Sequence, residues 1–359
     1  MDDLLKAEAR VPVGDPAAAI AAIATRLADR AAVEWTPAGA VLDSPRFGRM
    51  ALAADGGLLV IACACATPSA LSHAKMAAAD AIARHAGPDH PAFAWTGADA
   101  GSRVLPFFRE MTVARAHPVT PRMRRVVLAG DAAHFDAASL HVRVLIPPAG
   151  RPPVWPHADD AGRMVWPKGA DALVPRIYTV RALDRARGEI ALDVALHDGA
   201  STPGADWARG AGPGDRVGLL GPGGAPFMPA AFNLFAGDET ALPAIARMLE
   251  ALPADTRAVA RIEVEDAGEE QPLRSPAALD LRWLHRSGAP AGTSGLIEAA
   301  VRAVPIPPDP SGVRVFAGCE QATARRLRAH LVREAGLDKS RMSIAAYWRL
   351  GHEGVDIGE

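Results

Sequence analysis

The chain has 359 residues, of which 49% are hydrophobic and 22% are charged, and its formal net charge is -2. This composition is typical of a globular protein of two or three domains, and it shows no basic surplus that would bind nucleic acid. The amino terminus lacks the basic and apolar regions of a secretory signal, and no apolar run reaches the ~18 residues of a membrane span. We therefore expect a cytoplasmic protein without membrane insertion or a nucleic-acid partner.

Metal ligands are not expected. Cys63 and Cys65 lie two apart on one face of a probable strand and cannot easily bridge each other, and with Cys319 they are too few for a four-cysteine cluster. His73 and His85 lie twelve apart on a predicted helix, too far apart to share a metal ion. Buried thiols and ordinary histidines are the simpler interpretation.

Residues 1–98 are predicted to form a separate small domain. A helix starts in "GDPAAAIAAIATRLADR" with Asp15 as N-cap and Pro16 in the first turn, and a second helix, "LSHAKMAAADAIARHAG", ends at Gly87. Between them "AVLDS", "GRMALAA" and "LLVIACACA" are short strands, the last two joined by a hairpin at Asp55-Gly56-Gly57. The pattern favours an α+β sandwich of unassigned role.

Residues 105–228 change to strands and turns. Six strand candidates, separated by turns such as "GPGD" and "GPGG", favour a small antiparallel β-barrel. The candidates are "MTVARAHPVT", "RMRRVVLAG", "LHVRVLIPP", "RIYTVRAL", "EIALDVALH" and "DRVGLLGP". The proline-rich segment 147–175 is long for a loop inside a barrel, which predicts that it is either functional or loosely ordered.

Residues 231–359 alternate between strands and helices. Five strands and three helices in this order predict a parallel sheet with crossover helices, as in small nucleotide-binding α/β domains. The strands are "AFNLFAG", "AVARIEVED", "LRWLH", "VRVFAG" and "MSIAAYW", and the helices "ALPAIARMLEAL", "LIEAAVRAV" and "EQATARRLRAHLVREAG".

The "RIYT" stretch carries residues that could hold a ligand. Arg176 offers a fork of donors suited to a pyrophosphate, Tyr178 a flat stacking surface, and Thr179 a hydroxyl. The strand period puts Arg176 and Tyr178 on one face and Thr179 on the other, so contact with one ligand would require a strand end or a kink. A barrel strand with surface arginines is the competing interpretation.

A second candidate region is "LFAGDETALPAI", residues 234–245. Here a strand ends in Gly237, the polar turn Asp238-Glu239-Thr240 follows, and a helix begins. Amide groups at such a helix start can face phosphates or ribose hydroxyls at the carboxyl edge of a sheet, although a plain capping turn has the same sequence form. The segment 315–326, "VFAGCEQATARR", repeats the arrangement, as two turns facing one crevice would.

From about residue 105 onward the chain resembles the siderophore-interacting proteins, a family of bacterial flavin-dependent ferric-siderophore reductases. The matching stretches occur in family order over some 250 residues, and together they are far more specific than any one alone. They include "VTPRMRRVVLAG", "RIYTVRALD", "LDVALHDG", "WARGAGPGDRVGLLGPGG", "AGDETALPAIARMLEALP", "RIEVED", "FAGCE" and "AAYWRLG".

The resemblance implies a fold like that of ferredoxin-NADP reductase, with a FAD-binding barrel before an NAD(P)H-binding domain. It also implies cofactor contacts from residues of both domains. FAD would be held by Arg176, Tyr178 and Thr179, and its phosphates would lie along His197 and the loop Thr202, Pro203, Gly204 and Ala205. The crevice between the domains would be lined by Asp238, Glu239 and Thr240, and the site would be closed by Tyr347 and Trp348.

Two positions depart from the family pattern. The phosphate loop usually reads Gly-Pro-Ala-Ser, whereas Thr202-Pro203-Gly204-Ala205 lacks the serine hydroxyl. Backbone amides still bind phosphate, so weaker retention of FAD is expected, not its loss. Cys319 stands before Glu320 where the family has an Ala-Gly-Glu turn, which leaves the nicotinamide site less well defined.

By resemblance, the function is transfer of electrons from NAD(P)H, or from a ferredoxin, through FAD to a ferric siderophore. No catalytic acid or base is expected, because the flavin carries the chemistry. Since ferric siderophores are often anionic, a basic rim is expected, with Lys168, Arg181, Arg286 and Arg349 as candidates. Two alternatives stay open: a non-catalytic siderophore-binding protein, and a general flavin or ferric-chelate reductase.

Overall fold

The computed structural model describes residues 4–87, 92–135, 140–197, 202–224 and 226–352. Internal contacts divide the chain into two compact units, one comprising Met1–Phe108 with Gly150–Leu173 and the other Arg109–Ala149 with Val174–Glu359. Within the described ranges, no helix is long and apolar enough to cross a membrane.

The first unit contains an antiparallel sheet with two helices packed into the same hydrophobic core. Six strands pair in the order β2-β3-β4-β5-β1-β6. Its elements are β1 (Leu5–Pro12), α1 (Pro16–Leu27), β2 (Ala32–Thr36), β3 (Gly39–Ser44), β4 (Gly48–Asp55), β5 (Leu58–Cys65), α2 (Pro68–Ala86) and β6 (Trp95–Gly97). The predicted α+β architecture is confirmed, and three strands, β1, β2 and β6, are added to the three that the sequence indicated.

Local sequence explains the helix ends of this unit. The Asp15 carboxylate accepts a hydrogen bond from the Ala18 amide at 3.0 Å, and the Thr67 hydroxyl accepts one from Ala70 at 3.1 Å. Each of these caps precedes a proline in the first turn, where the missing N–H leaves no bond unmade. Gly87 follows α2 with a φ of 79°, a conformation that favours glycine.

The second unit begins with a closed barrel of six antiparallel strands, as predicted. The strands are β7 (Phe108–Thr120), β8 (Met123–Ala129), β9 (His141–Ile146), β12 (Val174–Asp184), β13 (Glu189–Ala195) and β14 (Arg216–Gly223), in the barrel order β12-β13-β8-β7-β14-β9. A short helix, α3 (Pro203–Gly210), lies between β13 and β14 and was not expected from the sequence. The segment between β9 and β12 forms two short strands, β10 (His157–Ala158) and β11 (Met164–Val165), and belongs to the first unit.

The barrel is followed by a parallel sheet of five strands in the order β17-β16-β15-β18-β19. Its elements are β15 (Phe232–Gly237), α4 (Leu242–Glu250), β16 (Arg257–Val264), β17 (Ala278–His285), α5 (Leu296–Arg302), β18 (Val313–Glu320), α6 (Gln321–Arg333) and β19 (Met342–Trp348). All five predicted strands and all three predicted helices are present.

The parallel sheet is covered on both faces, which is why its central strands are almost wholly apolar. Side chains of α4 pack with Phe235, Ala258 and Ile262 on one face, whereas α5 and α6 pack with Leu234 and Val259 on the other. Chain order reverses between β15 and β18, so the carboxyl ends of these two strands form the switch point where ligands of such sheets bind.

Candidate functional site

The first turn of α3 lies directly against the "RIYT" strand. A Cβ atom on Gly204 would stand 2.0 Å from the Tyr178 hydroxyl oxygen and 3.6 Å from Cγ of Arg176. Only a residue without a side chain permits this approach in the geometry observed. The structure therefore brings together two predicted groups, the strand residues Arg176 and Tyr178 and the loop Thr202–Ala205.

Among the described residues, no side-chain cap is seen at the start of α3. Thr202 stands at the N-cap but its hydroxyl makes no capping hydrogen bond. Uncapped amides at a helix start, with the positive end of the helix dipole, form a ready anion site. Half-buried Arg176 lies close by: its Cγ stands 3.6 Å from the Cβ position of Gly204, and its guanidinium donates a hydrogen bond to the Pro175 carbonyl at 2.6 Å. This combination suits a phosphate or pyrophosphate group.

Tyr178 is packed on the α3 side of its ring. Its ring centroid lies 6.2 Å from that of Trp207 on α3, with the two planes tilted by 33°. Burial raises the pKa of the Tyr178 hydroxyl, which therefore stays protonated and can donate a hydrogen bond. Thr179, the next residue, is buried with 4% of its surface exposed.

His141 connects the barrel to the parallel sheet. It pairs with Thr179 across β9 and β12, and its Nε2 lies 3.0 Å from the hydroxyl oxygen of Tyr347 on β19. A Cβ on Gly224 would lie 2.9 Å from Nδ1 of His141, so the residue that follows β14 packs against the imidazole. His141 was not among the site residues predicted from the sequence. The short "LHV" start of a barrel strand carries no signal for its partner more than two hundred residues away.

Asp238 occupies the switch point at the end of β15. Its side chain accepts hydrogen bonds from the Thr240 amide at 2.9 Å and from the indole N–H of Trp348 at 2.8 Å. Burial, reinforced by the neighbouring charge of Glu239, raises its pKa to about 6. The structure thus joins Asp238, Thr240, Tyr347 and Trp348, all predicted site residues, at one sheet edge.

The two turns at this edge differ in whether a side chain caps the helix that follows. Glu320 is the N-cap of α6, and its carboxylate accepts hydrogen bonds from the amides of Ala322 and Thr323 at 2.5 Å and 3.0 Å. By contrast, Ala241 caps α4 without a side-chain hydrogen bond. The two turns, which the sequence predicted to be alike, are therefore not equivalent, because α6 is capped by its own glutamate and α4 is not.

Carboxylates line a small pocket beside this edge. Its lining residues are Asp238, Glu263, Gly292, Ser294, Gly295, Ile297, Cys319, Glu320 and Thr323. Glu263 accepts a hydrogen bond from Ser294 at 2.5 Å and lies 3.5 Å from the guanidinium of Arg286. Burial with the surrounding carboxylates raises the pKa of the Cys319 thiol, which is therefore uncharged at neutral pH.

The four candidates for a basic rim differ in their environment. Arg286 is buried, with its guanidinium 2.5 Å from Glu239 and 3.3 Å from Glu265, so it balances carboxylates and forms no exposed rim. Arg181 makes a two-point ion pair with Glu250 at 2.6 Å and 3.0 Å. Arg349 is exposed next to Trp348, and Lys168 belongs to the first unit.

His197, predicted to follow the phosphates, is exposed, and its carbonyl accepts a hydrogen bond from Arg209 on α3 at 2.8 Å. Residues 198–201, which connect it to Thr202, lie outside the described residues. Thr202 and Ala205 are both buried, with 5% and 2% of their surface exposed. The described residues contain no cluster of side chains that could hold a metal ion.

Three comparisons with known proteins extend these observations. Residues 112–226 match the siderophore-interacting FAD-binding domain, residues 230–351 match the siderophore-interacting protein family, and residues 8–96 match a family described as an uncharacterized protein conserved in bacteria. A siderophore utilization protein from T. fusca is 36% identical with a TM-score of 0.59, covering 69% of this chain and 95% of that one.

Two curated relatives carry names that describe an activity. The ferric vibriobactin reductase ViuB of Vibrio cholerae is 29% identical over 254 residues, which are 69% of this chain and 91% of the relative. The NADPH-dependent ferric-chelate reductase of Escherichia coli is 29% identical over 249 residues, which are 67% of this chain and 92% of the relative.

A closed antiparallel barrel followed by a parallel sheet is the fold of the ferredoxin reductases, and the match of residues 112–226 to a FAD-binding domain identifies a flavoprotein. A ferredoxin-NADP+ reductase from Plasmodium falciparum shares this fold at 11% identity and a TM-score of 0.50, over 66% of this chain and 95% of that one. Within the class, the chain belongs to the siderophore-interacting protein family, with an additional amino-terminal domain.

The residues present fit FAD. The uncapped start of α3 beside Arg176 suits its pyrophosphate, and the approach of Gly204 to Tyr178 keeps the strand and this helix together. Ala205 has no side-chain donor, but backbone amides at the start of α3 can bind phosphate without one.

Proposed function

We propose that this protein is a cytoplasmic ferric-siderophore reductase that uses FAD to pass electrons from NAD(P)H to an Fe(III)-siderophore. The family to which it belongs includes proteins named as ferric reductases, among them ViuB and the Escherichia coli ferric-chelate reductase. Reduction releases the metal because hard oxygen donors hold Fe(III) much more firmly than Fe(II). The iron is the substrate's, and the proposal requires no metal ligands from the protein.

One observation carries the proposal. The start of α3 contacts Tyr178 on β12. The next residue of β12, Thr179, pairs with His141 of β9, and His141 is hydrogen-bonded to Tyr347 at the switch point of the sheet. These contacts support the proposal, because they bring the barrel strand proposed to hold FAD close to the sheet edge proposed to hold the nicotinamide nucleotide. A hydride donor on the sheet and an acceptor on the barrel need this juxtaposition.

When bound, FAD supplies the exchange between two-electron hydride chemistry and one-electron transfer to iron. The chain's own contribution is to bind and orient it. Arg176 and the amides of α3 would neutralise the phosphate charge, and Tyr178 would present the face of its ring that does not pack on α3. No general acid is needed for reduction of the metal, in keeping with the buried, hydrogen-bonded state of the carboxylates at the sheet edge.

The charged residues at the carboxyl end of β16 bear on whether NADH or NADPH is the donor, because only NADPH carries a 2′-phosphate. Glu265 accepts a hydrogen bond from the Gly288 amide at 3.0 Å and lies 3.3 Å from Arg286. Since Arg286 is occupied by carboxylates, exposed Arg274 is the remaining candidate of the two for a 2′-phosphate. We propose NAD(P)H as donor, with a reduced ferredoxin as the competing possibility.

Anaerobic mixing of the FAD-loaded protein with NADH, NADPH or a reduced ferredoxin tests the donor. Bleaching of the flavin absorbance by either nicotinamide supports the proposal, and bleaching by ferredoxin alone replaces the donor while preserving the reductase. If none of the three reduces the flavin, the proposed reductase function is wrong.

Two other functions make different predictions for the same material. A non-catalytic siderophore-binding protein would retain a ferric siderophore but contain no flavin. A general flavin or ferric-chelate reductase would contain flavin but reduce ferric citrate as efficiently as any ferric siderophore. Flavin absorbance, followed by a comparison of kcat/KM for these substrates, distinguishes the three.

A further inference from the structure

A lysine is buried in the first unit, far along the chain from the flavin-binding residues. Lys75 lies on α2 and only 6% of its surface is exposed. Its ammonium donates hydrogen bonds to the carbonyl oxygens of Ala98 at 2.8 Å and Asp99 at 3.3 Å. Asp99 has a φ of 55°, an uncommon backbone conformation for a residue other than glycine.

The charge of Lys75 lacks a carboxylate partner. Among the described residues no carboxylate oxygen lies within ion-pairing distance of its ammonium, and its other close contact is the ring of Trp95 at 5.8 Å. Burial lowers the pKa of Lys75, against the opposing effect of Asp99. Buried lysines are normally paired, because an unpaired charge in a dry environment is costly.

Lys75 lines a pocket formed entirely within this unit. The lining residues are Ser72, Lys75, Trp95, Asp99, Gly101, Ser102, Val104, Pro106, Ala158, Asp159, Asp160 and Gly162. A Cβ on Gly162 would lie 2.7 Å from Cβ of Lys75, and the indole of Trp95 donates to the Ala161 carbonyl at 2.8 Å. The segment 158–162 is thus fixed as one wall of the pocket.

None of the acidic residues of the lining forms an ion pair with Lys75. Asp159 is hydrogen-bonded to the Arg163 side chain at 2.8 Å, and Asp160 lies 3.3 Å from Arg103. Asp99 is exposed, so its charge is screened by water. Among the described residues of this pocket, the buried charge without an ion-pair partner is therefore the positive charge of Lys75.

We propose that this pocket is a binding site for a small carboxylate, with Lys75 as its charge partner. An ammonium group has three donors, and the two carbonyls use two of them, which leaves one for a ligand oxygen. The hydroxyls of Ser72 and Ser102 supply further donors. The site is independent of the proposed reductase chemistry, because the ion pair between Lys75 and the carboxylate would involve neither the proposed FAD-binding residues nor the parallel sheet.

The chain is suited to a direct test because it contains four lysines, Lys6, Lys75, Lys168 and Lys339. In the full-length, FAD-loaded protein with ¹⁵N-labelled lysine, the Nζ resonances can be titrated with acetate, propionate and butyrate. Acetamide, propionamide and butyramide are the matched neutral controls, at constant ionic strength. Comparison with Lys75→Met identifies the Lys75 signal.

The proposal predicts a saturable shift of the Lys75 resonance with at least one carboxylate, a rise of its pKa by about 1 unit or more, and no response to the amides. Ser72→Ala, which keeps the ammonium, should weaken this binding several-fold. If Lys75 responds to every carboxylate no more than the three other lysines do, or responds equally to the amides, the site is only an anchor for the turn at 97–101 and the proposal is wrong. These outcomes require no flavin reduction, so they are separate from the test of the reductase.

Discussion

Nε2 of His141 and the hydroxyl of Tyr347 lie 3.0 Å apart, although the residues belong to the first half of the barrel and to the last strand of the parallel sheet. The two rings meet edge to face, with centroids 6.0 Å apart. Burial raises the pKa of the Tyr347 hydroxyl, so this group is protonated over the physiological range. The pair fixes β19 against the barrel next to Thr179.

The first prediction concerns this hydrogen bond. Tyr347→Phe keeps the ring and removes the hydroxyl, so the free energy of unfolding should fall by about 0.5–1.5 kcal/mol, the net contribution of one hydrogen bond. Chemical denaturation measures it. A double-mutant cycle with His141→Ala is the control, because fully additive effects would show that the two side chains do not interact.

Arg176→Ala should lower the affinity for FAD by about 10- to 100-fold, since charged hydrogen bonds contribute about 1.5–3 kcal/mol. Flavin fluorescence during titration of the apoprotein measures the dissociation constant. Arg181→Ala is the matched control on the same strand, because its guanidinium is paired with Glu250. Equal affinity of the Arg176→Ala and wild-type proteins would remove Arg176 from the pyrophosphate site.

Gly204→Ala tests the contact between α3 and Tyr178. The added Cβ would stand 2.0 Å from the hydroxyl oxygen, so the tyrosine must move and FAD affinity should fall at least several-fold. Gly210→Ala at the other end of α3 is the control, because no atom of the described residues lies within 4 Å of its Cβ position. Tyr178→Phe combined with Gly204→Ala should recover part of the lost affinity, and a double variant as weak as Gly204→Ala would argue against this contact.

Asp238 should make stability depend on pH in an unusual direction. Its pKa in the folded protein, about 6, lies above the ordinary 3.8, so the folded state binds the proton more tightly. The resulting stabilisation is complete below about pH 4 and is lost as the pH rises through 6. At 1.36 kcal/mol per pKa unit the change is on the order of 2–3 kcal/mol.

Asp238→Asn isolates this effect, because an amide does not titrate and other carboxyl groups cancel in the difference between the two proteins. Between pH 4 and pH 7 the wild-type protein should lose stability relative to Asp238→Asn, measured by denaturant unfolding at each pH. A constant difference across this range would show that Asp238 titrates at its ordinary pKa.

Much of the fold follows from local sequence. The strands of the parallel sheet are short apolar runs that end in glycine or polar turns, and β15 is buried at all six positions. The alternation of such strands with helices along the chain is therefore easy to recognise. The strand β1 escaped prediction because its buried positions include the small residues Ala7 and Ala9 between charged neighbours. Helix α3 has eight residues with a glycine near each end, too short for a clear period.

The candidate site could be named from the sequence where its residues lie within a few consecutive positions, as at Arg176 and Tyr178 or at Asp238 and Thr240. It was not predictable where partners come from distant strands. The sequence around Arg286 does not indicate that Glu239 and Glu263 will surround it. Residues 150–173 were assigned to the barrel domain from the sequence, whereas the structure places them in the first unit. Contacts between residues distant in the chain depend on the order of the strands in the sheets, and this order cannot be read from a short stretch of sequence.

The central claim is that electrons pass from reduced flavin in this protein to siderophore-bound iron. The most direct measurement is a single turnover without any donor: the FAD-loaded protein is reduced photochemically under anaerobic conditions and mixed with a ferric siderophore in the presence of an Fe(II) chelator. We predict that flavin absorbance returns while two Fe(II) ions appear for each FAD. Flavin that stays reduced, with no Fe(II) formed from any ferric siderophore tested, would contradict the account.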